Sequence, residues 1–365
     1  MYTNIGETQK LKPFSIKILI LTSNDIQNIS RAIKGLKIER LNINENIITE
    51  LKTGMFEEKK SFRTVSLVNN QINVLQRKSI PMALYLYLNN NLIKSLNADM
   101  FINISYVQSL YLNNNCLKKI TVSSLMGLKA IILELSHNQL EDLEDRSIPE
   151  VEKLFMNNNK LTSINSKMFV NISHLSILEL SYNKITEITN CKINNSNLSI
   201  LKLSHNKISH IVQASFEGMQ MLKNLSLTNN LITSMEMNSI PIVEYLDLSY
   251  NLLTSIEENM FSDVYYLESV DIRYNCIKET DLKLMEQVLI LNQKFNEKCS
   301  THITKMDIFL ILNSAVFVVL VIVAIVITVY TRRFTKFSKH FTNSDWAYNA
   351  QLFYGKDGRN IIIIG

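Results

Sequence analysis

Asparagine recurs at positions 24, 46, 70, 91, 115, 138, 159, 183, 206, 230, 251 and 275, at steps of 21 to 24 residues. Around each one, apolar residues stand eight, five and three positions before it and two positions after it. Leu175, Leu178, Leu180, Asn183 and Ile185 show the pattern cleanly, and Ala83, Ala130 and Met156 are its mild variants. Twelve copies in register exclude an ordinary globule. A unit this short cannot bury its apolar face alone, so the units must stack and share one elongated core. The apolar-x-apolar step before each Asn predicts a short strand with both apolar residues on one face. The Asn then falls where the chain leaves the strand and turns inward. There its amide can satisfy backbone groups of its own and adjacent coils that would otherwise be buried unpaired.

A longer pattern lies on top. Phe56, Phe101, Phe169, Phe216 and Phe261 each stand fourteen residues before a repeat Asn in 24-residue units, a spacing that predicts a core column on the convex side. The 21-residue units instead carry Ser79-Ile80-Pro81, Ser147-Ile148-Pro149 and Ser239-Ile240-Pro241. Proline suits a tight extended return that needs no helix. Cys116 and Cys191 lie three coils apart and read as small apolar fillers.

These units resemble the leucine-rich repeat, L-x-x-L-x-L-x-x-N-x-L, of the 24-residue extracellular type, over about residues 16–277. The resemblance implies an α/β-type solenoid, a horseshoe with a parallel β-sheet on its concave face. It also implies a four-cysteine cap behind the last coil. Only Cys276 and Cys299 are available there, so that cap is reduced or absent, with Cys276–Cys299 the candidate disulfide. Residues 278–306 then form a C-terminal cap and juxtamembrane segment, with a helix expected over 281–296 behind Thr280 as N-cap.

Residues 308–330 are 23 positions without a charge, rich in Val and Ile, which is long enough to cross about 30 Å of hydrocarbon as a helix. Arg332, Arg333, Lys336 and Lys339 follow directly. On the other flank Lys298 and Lys305 are offset by Glu297 and Asp307. The positive-inside rule therefore places the repeats outside and residues 331–365 in the cytosol, a plasma-membrane protein of single-pass type. The start fits less well. Residues 1–15 supply neither a cleavable signal nor a cap, although residue 16 already begins a coil, so the expectation is a chain lacking its natural start. Six N-x-S/T sequons occur, about as many as 42 Asn would give by chance. Asn103 and Asn171, at equivalent positions twelve before their repeat Asn, are the candidate glycosylation sites. The closing run Ile361–Ile364 is unusual for an exposed terminus.

Chemistry is thinly represented. The six histidines form no metal-ligand pair, no C-x-x-C occurs, and no phosphate loop or G-x-S-x-G is present. No cofactor is implied and the chain reads as a non-enzyme. Beyond Tyr330 the net charge is +4, whereas the preceding 330 residues carry 32 basic and 31 acidic groups. That is a basic tail rather than a nucleic-acid surface. The tail is too short for the signalling domain of Toll-like receptors. What remains is the exposed side of the sheet. Four residues before each Asn the column reads Ile20, Asn42, Ser66, Tyr87, Tyr111, Glu134, Phe155, Glu179, Lys202, Ser226, Asp247 and Asp271. Coils four to seven thus gather Tyr85, Tyr87, Tyr111 and Phe155 beside Glu134, the usual anchors of a protein interface, although rings there could equally serve only to stiffen the sheet. The resemblance is to insect single-pass membrane leucine-rich-repeat proteins of adhesion or immune recognition. It implies an extracellular protein ligand or co-receptor. The alternative is a membrane-tethered adaptor with cytosolic repeats.

Overall fold

In a leucine-rich coil, strand length is set by how many residues can point alternately into the core and out to solvent before the turn at Asn. The computed structural model describes residues 15–277, apart from breaks at 31–32, 57–60, 99, 102–103, 165, 171, 189–196, 214 and 257–265, together with the backbone of 352–354 and 360–363. Each coil contributes one strand: β1 (Ser15–Ile20), β2 (Lys37–Asn42), β3 (Phe62–Ser66), β4 (Ala83–Tyr87), β5 (Tyr106–Tyr111), β6 (Lys129–Glu134), β7 (Glu150–Phe155), β8 (Ile177–Glu179), β9 (Ile200–Lys202), β10 (Asn224–Ser226), β11 (Tyr245–Asp247) and β12 (Ser269–Asp271). Sequence neighbours pair in parallel without a crossover. The apolar positions eight, five and three before each Asn, and two after it, fall in one continuous buried core. Leu86, Leu88, Ile93, Leu110, Leu112 and Leu117 are wholly inaccessible. Each such side chain contributes about 1.5–3 kcal/mol by leaving water.

The Asn ladder has the expected role. Asn115 donates from Nδ2 to Leu112 O (3.0 Å) in its own coil and to Leu88 O (3.0 Å) in the preceding one, and its Oδ1 accepts from Ile93 N (3.0 Å). The same linkage to the preceding coil recurs from Asn46 through Asn206 to Asn275. These side chains are nearly inaccessible, so each one satisfies backbone groups that water cannot reach.

The convex side departs from the α/β expectation. Among the described residues it carries no α-helix, only a 3-10 turn at Ser166–Phe169 and short parallel pairs such as Glu50–Leu51 with Val74–Leu75 and His210–Ile211 with Ser234–Met235. Coils of 21 to 24 residues leave too little chain behind the strand for a stable helix. Phe56, Phe101, Phe169 and Phe216 are buried there as expected, and Phe261 lies outside the described residues.

One feature was not expected. Two further strands, β13 (Leu352–Tyr354) and β14 (Asn360–Ile363), pair antiparallel with each other, and β14 adds to the free edge of β1 with Leu19 opposite Ile362 and Ile20 opposite Ile363. An uncovered edge strand offers unpaired N–H and C=O groups, and an Ile-rich segment is well suited to take them. The helix expected at 281–296 and the apolar segment 308–330 lie outside the described residues. Among the residues that are described, no helix is long and apolar enough to cross a membrane.

Candidate protein-interaction surface

The outward column of the sheet is held in strict register: Ser66, Tyr87, Tyr111, Glu134, Phe155, Glu179 and Lys202 lie opposite one another across β3 to β9. The predicted site residues therefore do come together. Tyr87 and Tyr111 stack with ring centroids 4.9 Å apart and planes 7° from parallel. Tyr85 sits two residues before Tyr87 on the same face, opposite Thr64 and Ser109. Phe155 is separated from the tyrosines by Glu134. All five are half-buried rather than freely exposed. The parallel sheet brings rows together at strand spacing, so each ring is partly covered by its neighbour. A stacked pair of this kind contributes about 0.5–1.5 kcal/mol beyond its buried area.

Charge follows from this covering. Burial, and then the neighbouring phenols of Tyr111 and Tyr85, push the Tyr87 hydroxyl above its usual value, so it stays a neutral donor. Burial likewise raises the Glu134 carboxyl, partly countered by Ser136, whose N–H donates to Glu134 Oε1 at 3.0 Å. Toward the strand starts the surface opens into a groove of about 460 Å³ with Arg63 and Glu39 at its polar edge. Its apolar walls include Met82, Leu84 and Tyr106, exposed by 45%, 41% and 47%. This groove adjoins Tyr85 and was not foreseen, because its residues sit at positions the repeat leaves unspecified.

A second aromatic row lies at the other end of the strands. The residue just before each ladder Asn adopts the left-handed conformation in all twelve coils, from Ser23 (φ 59°) to Tyr274 (φ 60°). Asn, which tolerates this region, fills it at 69, 90, 114, 158 and 229. In coils eight, nine, eleven and twelve it is filled instead by Tyr182, His205, Tyr250 and Tyr274. Tyr182 stacks on His205 (4.1 Å, 9°) and Tyr250 on Tyr274 (4.1 Å, 16°). Burial lowers the His205 imidazole below its usual value. This row was missed; reading down the column one before Asn would have found it.

Of the remaining predicted sites, Asn103, Asn171 and Cys299 lie outside the described residues, as does Cys191. Cys276 is half-buried at the end of coil twelve, and its N–H donates to Leu253 O at 2.8 Å. Cys116 is half-buried in coil five and forms no disulfide.

Comparison with known proteins agrees with this geometry. Residues 85–147, 149–191 and 196–240 match the family described as Leucine rich repeat. Lumican of Bos taurus is 28% identical over 181 residues, covering 48% of this chain and 52% of that protein. Lumican of Rattus norvegicus is 29% identical over 182 residues, with 48% and 53% covered. The chain thus spans about half the length of the curated relatives it matches. Among solved structures, the leucine-rich-repeat domain of APL1 superposes with a TM-score of 0.62 at 23% identity, covering 78% of this chain and 81% of that one. Toll in its glycosylated complex with Spatzle, from Drosophila, gives 0.58 at 22%, covering 73% and 43%. With the in-register sheet and the Asn ladder, these likenesses make the chain a leucine-rich-repeat protein.

Proposed function

We propose that this chain is a single-pass cell-surface protein whose extracellular repeats recognise another protein, as an adhesion molecule or an innate immune receptor or co-receptor, without catalysis of its own. The observation that carries the reading is the stacked Tyr87–Tyr111 pair on the solvent side of the sheet, with Tyr85, Glu134 and Phe155 beside it. Aromatic rings on a rigid scaffold are what protein interfaces use as anchors. Two fold relatives support it: Toll occurs in a complex with Spatzle, and LRIM1 in one with APL1C. The anchor is residues 308–330, with Arg332 to Lys339 on the cytosolic side. Replacing Tyr87 and Tyr111 with Ala is expected to weaken partner binding by 1–4 kcal/mol, about fivefold to several hundredfold. Unaltered affinity would sink the concave patch as the site.

One observation favours a second reading. Ile363 pairs with Ile20, whereas a single span between them would hold these residues on opposite sides of a bilayer. The pairing therefore belongs to a chain whose tail and repeats share a compartment. Protease added to sealed microsomes separates the readings: removal of the tail alone supports the spanning chain. Loss of the repeats supports cytosolic repeats. Crosslinking within one chain between Ile20→Cys and Ile363→Cys supports the folded-back tail.

A further inference from the structure

The second aromatic row has a gap of one ring. Its rings stack along the solenoid, so the free face of His205 and the free face of Tyr250 both look toward coil ten. There the row holds Asn229, whose amide is drawn aside to Thr228 Oγ1 at 3.1 Å. Two coil spacings separate the bounding rings, about 8–10 Å by the strand spacing of a sheet. One planar group can lie between them in contact with both faces.

The surroundings of the gap select the sign of that group. Lys184 and Lys207 follow the ladder Asn in coils eight and nine, but Leu231 and Leu252 take that position in coils ten and eleven. On the sheet beside them stand Asp247 and Asp271, and the one cation there, Arg273, is already bonded to Asp271. Asp247 Oδ1 accepts from the Ser249 hydroxyl, which shares a hydrogen bond with Thr228 at 2.8 Å, so a carboxylate is linked to the floor of the gap. The local surface is apolar at its edge and net negative.

We propose that this gap is an arginine slot: a guanidinium from a partner protein inserts between His205 and Tyr250, with Asp247 as the counter-charge. A guanidinium is flat, stacks on aromatic faces on both sides and is weakly hydrated, which an ammonium is not. The slot is independent of the concave patch in coils four to seven.

The test is fluorescence anisotropy of the full-length protein with labelled hexa-arginine and hexalysine peptides. Saturable binding of hexa-arginine at least fivefold tighter than hexalysine is expected. Asn229→Tyr fills the gap and should reduce hexa-arginine binding to the hexalysine level. Tyr occupies the same backbone position in three other coils, and Asp247→Asn, which keeps the acceptor to Ser249, provides a second variant with the same expected direction. The Tyr87→Ala, Tyr111→Ala double variant should bind hexa-arginine normally even if it loses the natural partner. Equal affinity for the two peptides, insensitivity to both slot variants, or competition from a tyrosine-rich peptide that exceeds hexa-arginine would overturn the proposal.

Discussion

Coils four and five carry their stacked rings on strand positions, and coils eight to twelve carry theirs on left-handed backbone. The ring chemistry is the same and the contacts are similar, 4.9 Å in one case and 4.1 Å in the other. The backbone cost is not. An extended residue welcomes an aromatic side chain, whereas a bulky residue at positive φ loses about 1–2 kcal/mol against one that tolerates the region. Tyr87 and Tyr111 are thus placed where they help the sheet. Tyr182, His205, Tyr250 and Tyr274 are placed where Asn would serve the fold better. Strain kept at exposed positions points to use rather than to stability.

The largest effect should be blind to this difference, because both regions hang on the same ladder. Asn115→Ala in the front region leaves Leu88 O, Leu112 O and Ile93 N without their partner. Asn206→Ala leaves Leu180 O, Leu203 O and Ile185 N in the same state. Each should lower unfolding stability by about 2–5 kcal/mol, at 1–3 kcal/mol per stranded buried group. Urea denaturation of the two variants side by side measures it. A marked inequality would mean that the regions differ in more than their rings.

The next effect separates them. Tyr87→Asn forfeits a stack and apolar burial and gains nothing from the backbone, so a loss of about 1–2 kcal/mol is expected. Tyr182→Asn forfeits a comparable stack but relieves its left-handed backbone, and the two terms should nearly cancel, within about 0.5 kcal/mol. If both variants lose alike, the rim rings are packing residues and their backbone is unstrained.

Much of this was legible in the residues. The apolar positions named the core, and the Asn column named its own hydrogen bonds, because both follow from one period acting on every coil. The concave patch was legible for the same reason: Tyr85, Tyr87 and Tyr111 alternate with buried leucines. The rim was not. The repeat leaves the position before Asn unspecified, and only the φ angle shows why Asn is common there and why Tyr182 or His205 is an exception. The absence of convex helices among the described residues was readable from coil length but masked by the family expectation. The pairing of β14 with β1 joins residues more than 340 positions apart, and no local pattern signals that.

Protonation sharpens the comparison with opposite signs. The folded-state pKa of Glu134 is raised by burial, so its contribution to stability is full below the unfolded carboxyl value, near 4.3, and is lost as pH rises through the folded value. The folded-state pKa of His205 is lowered by burial, so its contribution is full above the unfolded imidazole value, near 6.5, and is lost as pH falls through the folded value. Glu134→Gln should therefore gain on the wild type as pH increases from about 4 to 7. His205→Asn should gain as pH decreases below about 6.5. Each shift should be about one or two degrees of Tm, followed by thermal melts across pH. NMR titration of the imidazole adds a direct check, because Tyr182→Ala uncovers the ring and should bring its pKa back up.

The smallest effect lies behind both regions. Ser79, under the concave patch, and Ser239, under the rim, are 1% and 2% exposed, and their hydroxyls find no hydrogen-bond partner among the described residues; Ser147 is like them. The 24-residue coils treat their buried serines differently. Ser124 donates to Leu96 O at 2.8 Å, and Ser215 accepts from Val212 N at 3.0 Å. A buried hydroxyl without a partner costs its desolvation and returns nothing. Ser79→Ala and Ser239→Ala should each raise stability by about 0.5–1 kcal/mol, whereas Ser124→Ala should lower it by about 1 kcal/mol. Because the coil length and not the ring placement decides the outcome, the two gains should be equal and should leave peptide binding at the rim untouched. A loss at Ser79 matching that at Ser124 would show that the short coils bond their serines as the long ones do, and that the Ser-Ile-Pro return is held by more than proline and packing.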